Sequence, residues 1–258
     1  MKVALGGGCA GELYLPRDKA PAGAVVILHE RYGLVQHTLD LAQRLADDGY
    51  AALAPELFSR WQGDHAALRR GEARVTLPDD EVAAVIDRAI DFVKPHDRRV
   101  ALMGVCQSGR YPAVVGSRRD DLAACIVFYG GAQRRDWDPS DLQPRPMGEM
   151  LRALRAPALF VFAERDHTIS LDDVRRVRDA LEEGRRSYRM KVFAGMPHGF
   201  LNDTLPGRYR AKEAAEAWRV LLAFLGEVFT GRWPDQVRWE FEGASGHNYD
   251  FSANRRLE

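Results

Sequence analysis

The sequence predicts an α/β fold: a doubly wound, mostly parallel sheet with helices on both faces. Three observations carry this expectation. Short apolar runs recur along the 258 residues, stretches with apolar residues at helical spacing lie between them, and Gly or Pro bounds most of the runs. The runs are AVVILH (24–29), YAALAP (50–55), VALMGV (100–105), AACIVFYG (123–130) and ALFVFAE (158–164). None alternates strictly, as expected of strands covered on both sides. Between them, TLDLAQRLADDG (38–49), DDEVAAVIDRAIDFVK (79–94) and LDDVRRVRDALEEG (171–184) read as helices, two of them closing on a glycine. A last helix is expected over about 208–230. Residues 56–78 have no clear period and read as an excursion of the kind that lines a site above a sheet. The glycines of LGGGCAG read as a flexible lead-in, because they lack the strand-before, helix-after setting of a dinucleotide loop. One domain over residues 1–230 and an aromatic-rich extension over 231–258 is the expected organisation.

Composition narrows the partners. Lys plus Arg and Asp plus Glu each number 37, so the formal net charge is zero and no overall field draws nucleic acid or anionic membrane. A small neutral or singly charged molecule fits better. The N-terminal apolar run is too short for a signal peptide and no run approaches a membrane span, which makes the cytoplasm the expected location. Three cysteines, Cys9, Cys106 and Cys125, without C-x-x-C spacing suggest neither a disulfide framework nor a zinc site. With no H-E-x-x-H motif either, no metal and no cofactor is expected.

The stretch MGVCQSGR, Met103 to Arg110, directs attention to one cysteine. The run VALMGV delivers Cys106 to the carboxyl edge of the sheet, where ligands bind in doubly wound folds. A nucleophile on a sharp strand-to-helix turn needs small residues two positions before and after it, and Gly104 and Ser108 meet that need. Centred on Ser108, the same turn would place bulky Arg110 at a flank, so Ser108 reads as a packing residue. A free cysteine is more often a small buried hydrophobe. A nucleophile requires a base and a group that orients the base, in the chain order nucleophile, acid, histidine. Asp166 follows the strand ALFVFAE, and His198 lies in the Gly/Pro-bounded loop AGMPHGF before the last helix. His65, His96, His167 and His247 read as solvated.

With these residues in place, the chain resembles the dienelactone hydrolase (carboxymethylenebutenolidase) family of the α/β-hydrolase fold. The resemblance covers roughly residues 10–230 through LHERYGL, GVCQSG, ERDH and PHGFLNDT. It implies a catalytic Cys106, His198 and Asp166, a Glu30 that helps control ionisation of the thiol, and oxyanion-hole N–H groups from Arg31 and Gln107. The competing reading of Glu30 is a carboxylate paired with Arg31 or Arg110. The implied activity is cleavage of a lactone or activated ester through an acyl-enzyme. The alternatives are a thioesterase or acyltransferase using the same residues, and a non-catalytic binding protein on this fold. Where the dienelactone-cleaving members carry a carboxylate-binding arginine, this chain has Asn202, which donates a hydrogen bond but supplies no charge. Candidate substrate contacts are Tyr32, Arg110 and Asn202, with Arg31, Arg69, Arg70 and Arg74 as further sources of positive charge.

The extension contains VRWEFE (237–242), which alternates with period two and reads as a strand that must join a sheet. It docks either on this chain or across a homodimer, with Trp233, Tyr249 and Phe251 as further anchors.

Overall fold

The computed structural model describes residues 1–233 and 238–241. Among these residues nine strands form one sheet in the order β1-β2-β4-β3-β5-β6-β7-β8-β9. They span Lys2–Gly6 (β1), Cys9–Tyr14 (β2), Ala24–Leu28 (β3), Ala51–Pro55 (β4), Val100–Val105 (β5), Leu122–Phe128 (β6), Ala158–Arg165 (β7), Tyr188–Pro197 (β8) and Arg238–Phe241 (β9). The β1–β2 and β2–β4 pairs are antiparallel; all other neighbours are parallel. The helices are α1 (Gln36–Asp47), α2 (His65–Arg69), α3 (Asp79–Val93), α4 (Tyr111–Gly116), α5 (Met147–Arg152), α6 (Leu171–Glu183) and α7 (Ala211–Phe229).

The unbroken apolar runs follow from two covered faces. In β3, Ala24, Val26 and Leu28 enter the core beneath α3 to α6, while Val25 and Ile27 enter the core beneath α1 and α7. Every residue of β3, β4 and β5 is buried. The α7 face contributes Trp218, Leu221, Phe224 and Leu225, all essentially without exposure. Each such side chain stabilises the fold by about 1.5–3 kcal/mol relative to exposure. Among the described residues no helix is long and apolar enough to cross a membrane.

Several sequence expectations change. The early glycines are not a lead-in: Gly6, Gly7 and Gly8 all have positive φ and turn the β1–β2 hairpin, a conformation glycine adopts without steric cost. The excursion 56–78 holds the short helix α2, whose first turn is capped by the Asp64 carboxylate accepting from Ala66 and Ala67 N–H at 2.8 and 3.0 Å. Of the alternating tail, β9 pairs parallel with β8 of its own chain, Met190 opposite Trp239 and Val192 opposite Phe241. This is the self-docking arrangement of the two that the sequence left open. Trp233 packs edge-on against Phe224 with ring centres 4.9 Å apart and donates to Ser187 Oγ at 2.6 Å. Val237, Glu242, Tyr249 and Phe251 lie outside the described residues.

The tightest packing surrounds Cys106. A Cβ on Gly130 would lie 2.1 Å from the Cys106 carbonyl oxygen, one on Gly109 would lie 2.6 Å from Gly130 Cα, and one on Gly104 would lie 2.4 Å from the Ser108 carbonyl. These obstacles are backbone atoms that cannot swing aside. Gly130→Ala is therefore expected to destabilise the protein by at least about 2 kcal/mol, read as a lower urea midpoint.

Candidate active site

Strand β5 ends at Val105, and the chain turns at once into a 3-10 turn over Cys106–Arg110 that leads into α4. Cys106 has φ +55°, a left-handed conformation that costs a non-glycine residue about 1–3 kcal/mol and persists only where packing over-determines it. The glycine contacts described above supply that packing. Ser108 adds a staple of its own. Its hydroxyl lies 3.1 Å from the Leu28 carbonyl and 3.0 Å from the Val105 carbonyl, and accepts the Val105 N–H at 2.9 Å. The elbow is thus tied to the end of β3, two residues before Glu30.

Three side chains from three strand ends meet in series. Cys106 Sγ lies 3.1 Å from His198 Nε2, and His198 Nδ1 lies 2.7 Å from Asp166 Oδ2. All three residues are buried. The second oxygen of Asp166 accepts from the Thr168 N–H and hydroxyl, both at 2.8 Å, and from the Ile169 N–H at 3.2 Å. A capping box between Ser170 and Asp173 then starts α6 and fixes the far end of the acid loop. Burial alone would keep the His198 imidazole neutral, but the charges of Asp166 and Cys106 outweigh it and hold the imidazole well above its ordinary value. Burial likewise opposes ionisation of Asp166, yet His198 and the Thr168 hydrogen bonds bring its carboxyl below the usual range.

Glu30, just past β3, is buried, and its Oε2 accepts from Asn202 Nδ2 at 2.6 Å. The Asn202 oxygen in turn accepts the Thr204 N–H at 3.0 Å and hydroxyl at 2.7 Å, so the amide orientation is set. Two expected substrate contacts therefore change. Asn202 has no exposure, does not line the cleft, and holds Glu30 instead. Arg110, only 2% exposed, points away from the cleft into a buried ion-pair network. It donates to both oxygens of Asp79 at 2.8–3.1 Å and to the Arg145 carbonyl at 2.6 Å, and lies 3.7 Å from Asp136 Oδ1.

Glu30, Arg31, Tyr32, Cys106, Gln107 and His198 line a cleft of about 270 Å³. The excursion forms its roof, fastened by Gln107 Nε2 to the Val75 carbonyl and by Arg31 Nη2 to the Gly71 carbonyl, each at 2.5 Å. Of the excursion's arginines, Arg74 reaches the cleft, Arg70 pairs with Glu72 at the surface, and Arg69 borders a neighbouring depression. Among the described residues no cluster of His, Cys, Asp and Glu has the makings of a metal site.

Tyr129 escaped the sequence reading. It follows β6 with φ +35°, and its ring packs edge-on against His198 at 5.2 Å. Its buried hydroxyl is turned toward Glu30 without a well-formed hydrogen bond. Burial first, then the charges of Glu30, Cys106 and Asp166, hold its phenol well above the ordinary value. Its only sequence signal is its place at the end of the apolar run 123–130, directly before the pair Gly130-Gly131. Thr168, two residues after the acid, was equally legible in position but not in role.

A cysteine on a strained strand-to-helix turn, with an imidazole and a carboxylate in series at the carboxyl edge of such a sheet, defines the α/β-hydrolase class. The chain belongs to the dienelactone hydrolase family, whose profile matches residues 9–229, and is a hydrolase of ester or lactone bonds. A relative from Methylorubrum extorquens named "Putative carboxymethylenebutenolidase" is 29% identical over 80% of this chain and 72% of its own. An Escherichia coli protein of the same name is 28% identical over 80% and 77%. The crystal structure of a "Putative Dienelactone Hydrolase" from Klebsiella pneumoniae superposes with a TM-score of 0.76 at 26% identity, covering 85% of this chain and 93% of that one.

The titration of His198 has a stability consequence of definite sign. Its value is raised on folding, so the stability it contributes is complete below the ordinary imidazole range near pH 6.5 and is lost as pH rises through the raised value. Asp166→Asn removes the main opposing charge. The melting temperature of that variant is expected to fall less steeply between pH 6.5 and 9 than that of the wild type.

Proposed function

We propose that this hydrolase works through a Cys106 nucleophile and an acyl-enzyme, with His198 as base and Asp166 as its orienting acid. The observation that carries the reading is the unbroken series of contacts from Sγ through the imidazole to the Asp166 carboxylate, presented on a left-handed Cys106. An ordinary thiol, with a pKa near 8.5, is mostly protonated at neutral pH. His198 Nε2 takes the proton, and the sulfur attacks the carbonyl carbon of a lactone or activated ester. A C–S bond forms as the carbonyl oxygen takes up negative charge, which the backbone N–H groups of Gln107 and Arg31 stabilise. When the tetrahedral species collapses, the C–O bond to the leaving alkoxide breaks and the imidazolium returns the proton to it. Water, deprotonated by His198, then attacks the thioester, breaks the C–S bond and releases the carboxylic acid.

Glu30 acts as a fixed negative charge beside this site. Asn202 donates to it and Thr204 in turn orients the Asn202 amide, while Arg110, one partner in the competing reading, pairs with Asp79 instead. Tyr32, on the cleft wall, is the proposed substrate contact.

Cys106→Ala is expected to abolish turnover of p-nitrophenyl esters, and His198→Ala to lower kcat by roughly three orders of magnitude. Intact-mass analysis of wild-type protein quenched during turnover should show the acyl mass on the peptide containing Cys106. Full activity in Cys106→Ala would overturn the mechanism. Iodoacetamide should label Cys106 ahead of Cys125, whose thiol burial pushes up to about 12.

Glu30→Gln tests the fixed charge. The pH profile of Cys106 alkylation is expected to shift relative to wild type, and an unchanged profile would assign Glu30 a purely structural role.

A further inference from the structure

A buried histidine stands behind the site and takes no part in the reaction described so far. His29 follows β3 directly, is 1% exposed, and packs its ring edge-on against Phe58 with centres 4.7 Å apart. It does not line the cleft. Both ring nitrogens are engaged. Nδ1 lies 2.7 Å from the Glu30 carbonyl oxygen, while Nε2 accepts the Leu57 N–H at 3.0 Å and has Glu56 Oε1 3.3 Å away. A carbonyl oxygen only accepts, so the ring carries a proton on Nδ1 and donates it to Glu30.

That carbonyl belongs to the peptide unit whose nitrogen is Arg31 N. Among the described residues no peptide bond is cis, and in a trans peptide the C=O and N–H point in opposite directions. The Glu30 carbonyl faces His29 and also accepts the Gly33 N–H at 3.3 Å, in a turn completed by Gly33 with φ +78°. Two donors on one side thus direct the Arg31 N–H to the other, away from the buried ring. Hydrogen bonds accepted by a carbonyl also polarise the N–H of the same peptide and strengthen it as a donor. The second proposed oxyanion donor shares this reference point. Ser108, in the turn that holds Gln107, has its hydroxyl 3.1 Å from the carbonyl of Leu28, the residue before His29.

We propose that His29 is a positioning residue for ester cleavage: its Nδ1–H holds the Glu30–Arg31 peptide so that the Arg31 N–H meets the oxygen on which charge develops. The proposal deepens the oxyanion reading given above and rests on it. His29 touches no reacting atom. Its effect comes through orientation, because a donor stabilises the transition state most when it is already in place as the charge appears.

Two amide side chains separate the roles of the two ring nitrogens. The Asn amide occupies the place of Nδ1 and donates to the Glu30 carbonyl, whereas the Gln amide occupies the place of Nε2 and serves Leu57 but not Glu30. His29→Gln is expected to lower kcat on p-nitrophenyl acetate by at least about tenfold with KM within about twofold, and His29→Asn to recover most of that loss. Alkylation of Cys106 by iodoacetamide should stay near the wild-type rate in both variants, because displacement of iodide builds no oxyanion. A role in packing or in ionisation of the thiol would slow both reactions. Undiminished kcat in His29→Gln, equal losses in the two variants, or a parallel loss of alkylation would overturn the proposal. Nitrogen NMR of the wild-type His29 ring provides a test free of mutation: a proton on Nδ1 is expected throughout the pH range of activity, and a ring protonated on Nε2 alone would equally overturn it. Failure of the nucleophile is separately visible. If Cys106→Ala hydrolyses the ester, the cysteine fails, yet the kcat ratio of His29→Gln to wild type still decides His29, since any nucleophile that attacks the carbonyl puts charge on its oxygen.

Discussion

Everything in the site hangs on the contact between two stretches of backbone. The turn after β5 and the turn after β6 approach so closely that Gly109, Gly130 and Gly131 each face backbone where a side chain would stand, and the Cys106 carbonyl fills the space above Gly130. This contact compensates the unfavourable φ of Cys106 and fixes its Cβ direction. It also brings Tyr129, immediately before Gly130, against the imidazole of His198. The strain at the cysteine and the absence of side chains around it are one feature seen from two sides.

A second constraint is electrostatic and lies behind the elbow. Arg110 carries the 3-10 turn into a buried pairing with Asp79, the first residue of α3, and approaches Asp136 in the loop after β6. Breaking such a pair by removing one partner costs about 3–5 kcal/mol, because the remaining charge stays buried. Arg110 thereby locks three segments together: the elbow, the foot of the excursion and the loop that carries Gln133 and Arg135 to the cleft. The residue offered, for its charge, as a substrate contact instead shapes the cleft from outside it.

What the sequence revealed and what it hid divide along range. The strands β3 to β7 were legible because burial on both faces leaves an apolar run with no alternation, and the long helices because a 3.6-residue stripe is a local pattern. Cys106, Asp166 and His198 could be placed by chain order, since each follows a strand end. The β1–β2 hairpin was lost because three consecutive glycines look like slack chain until their positive φ values and cross-strand pairing are known. Asn202 and Arg110 could not be sorted by chemistry alone. Both are polar donors near the site in sequence or by analogy, and only the fold shows one gripping Glu30 across 172 residues and the other buried in carboxylates. Long-range pairing decides such roles, and a linear pattern carries little of it.

The two clips that fasten the excursion have a consequence for changing what this enzyme accepts. Gln107 and Arg31 grip the roof with their side chains while their own backbone N–H groups are the proposed partners of the oxyanion. Roof and oxyanion hole therefore share the same two anchor points. A loop exchanged between 56 and 78 to widen selectivity would also re-aim the donors at the reacting carbonyl, so breadth of substrate and speed of reaction are inherited together. Directed evolution of this segment would have to select on both at once, and a grafted loop that keeps carbonyl acceptors at 71 and 75 is the one that transplants with its rate intact.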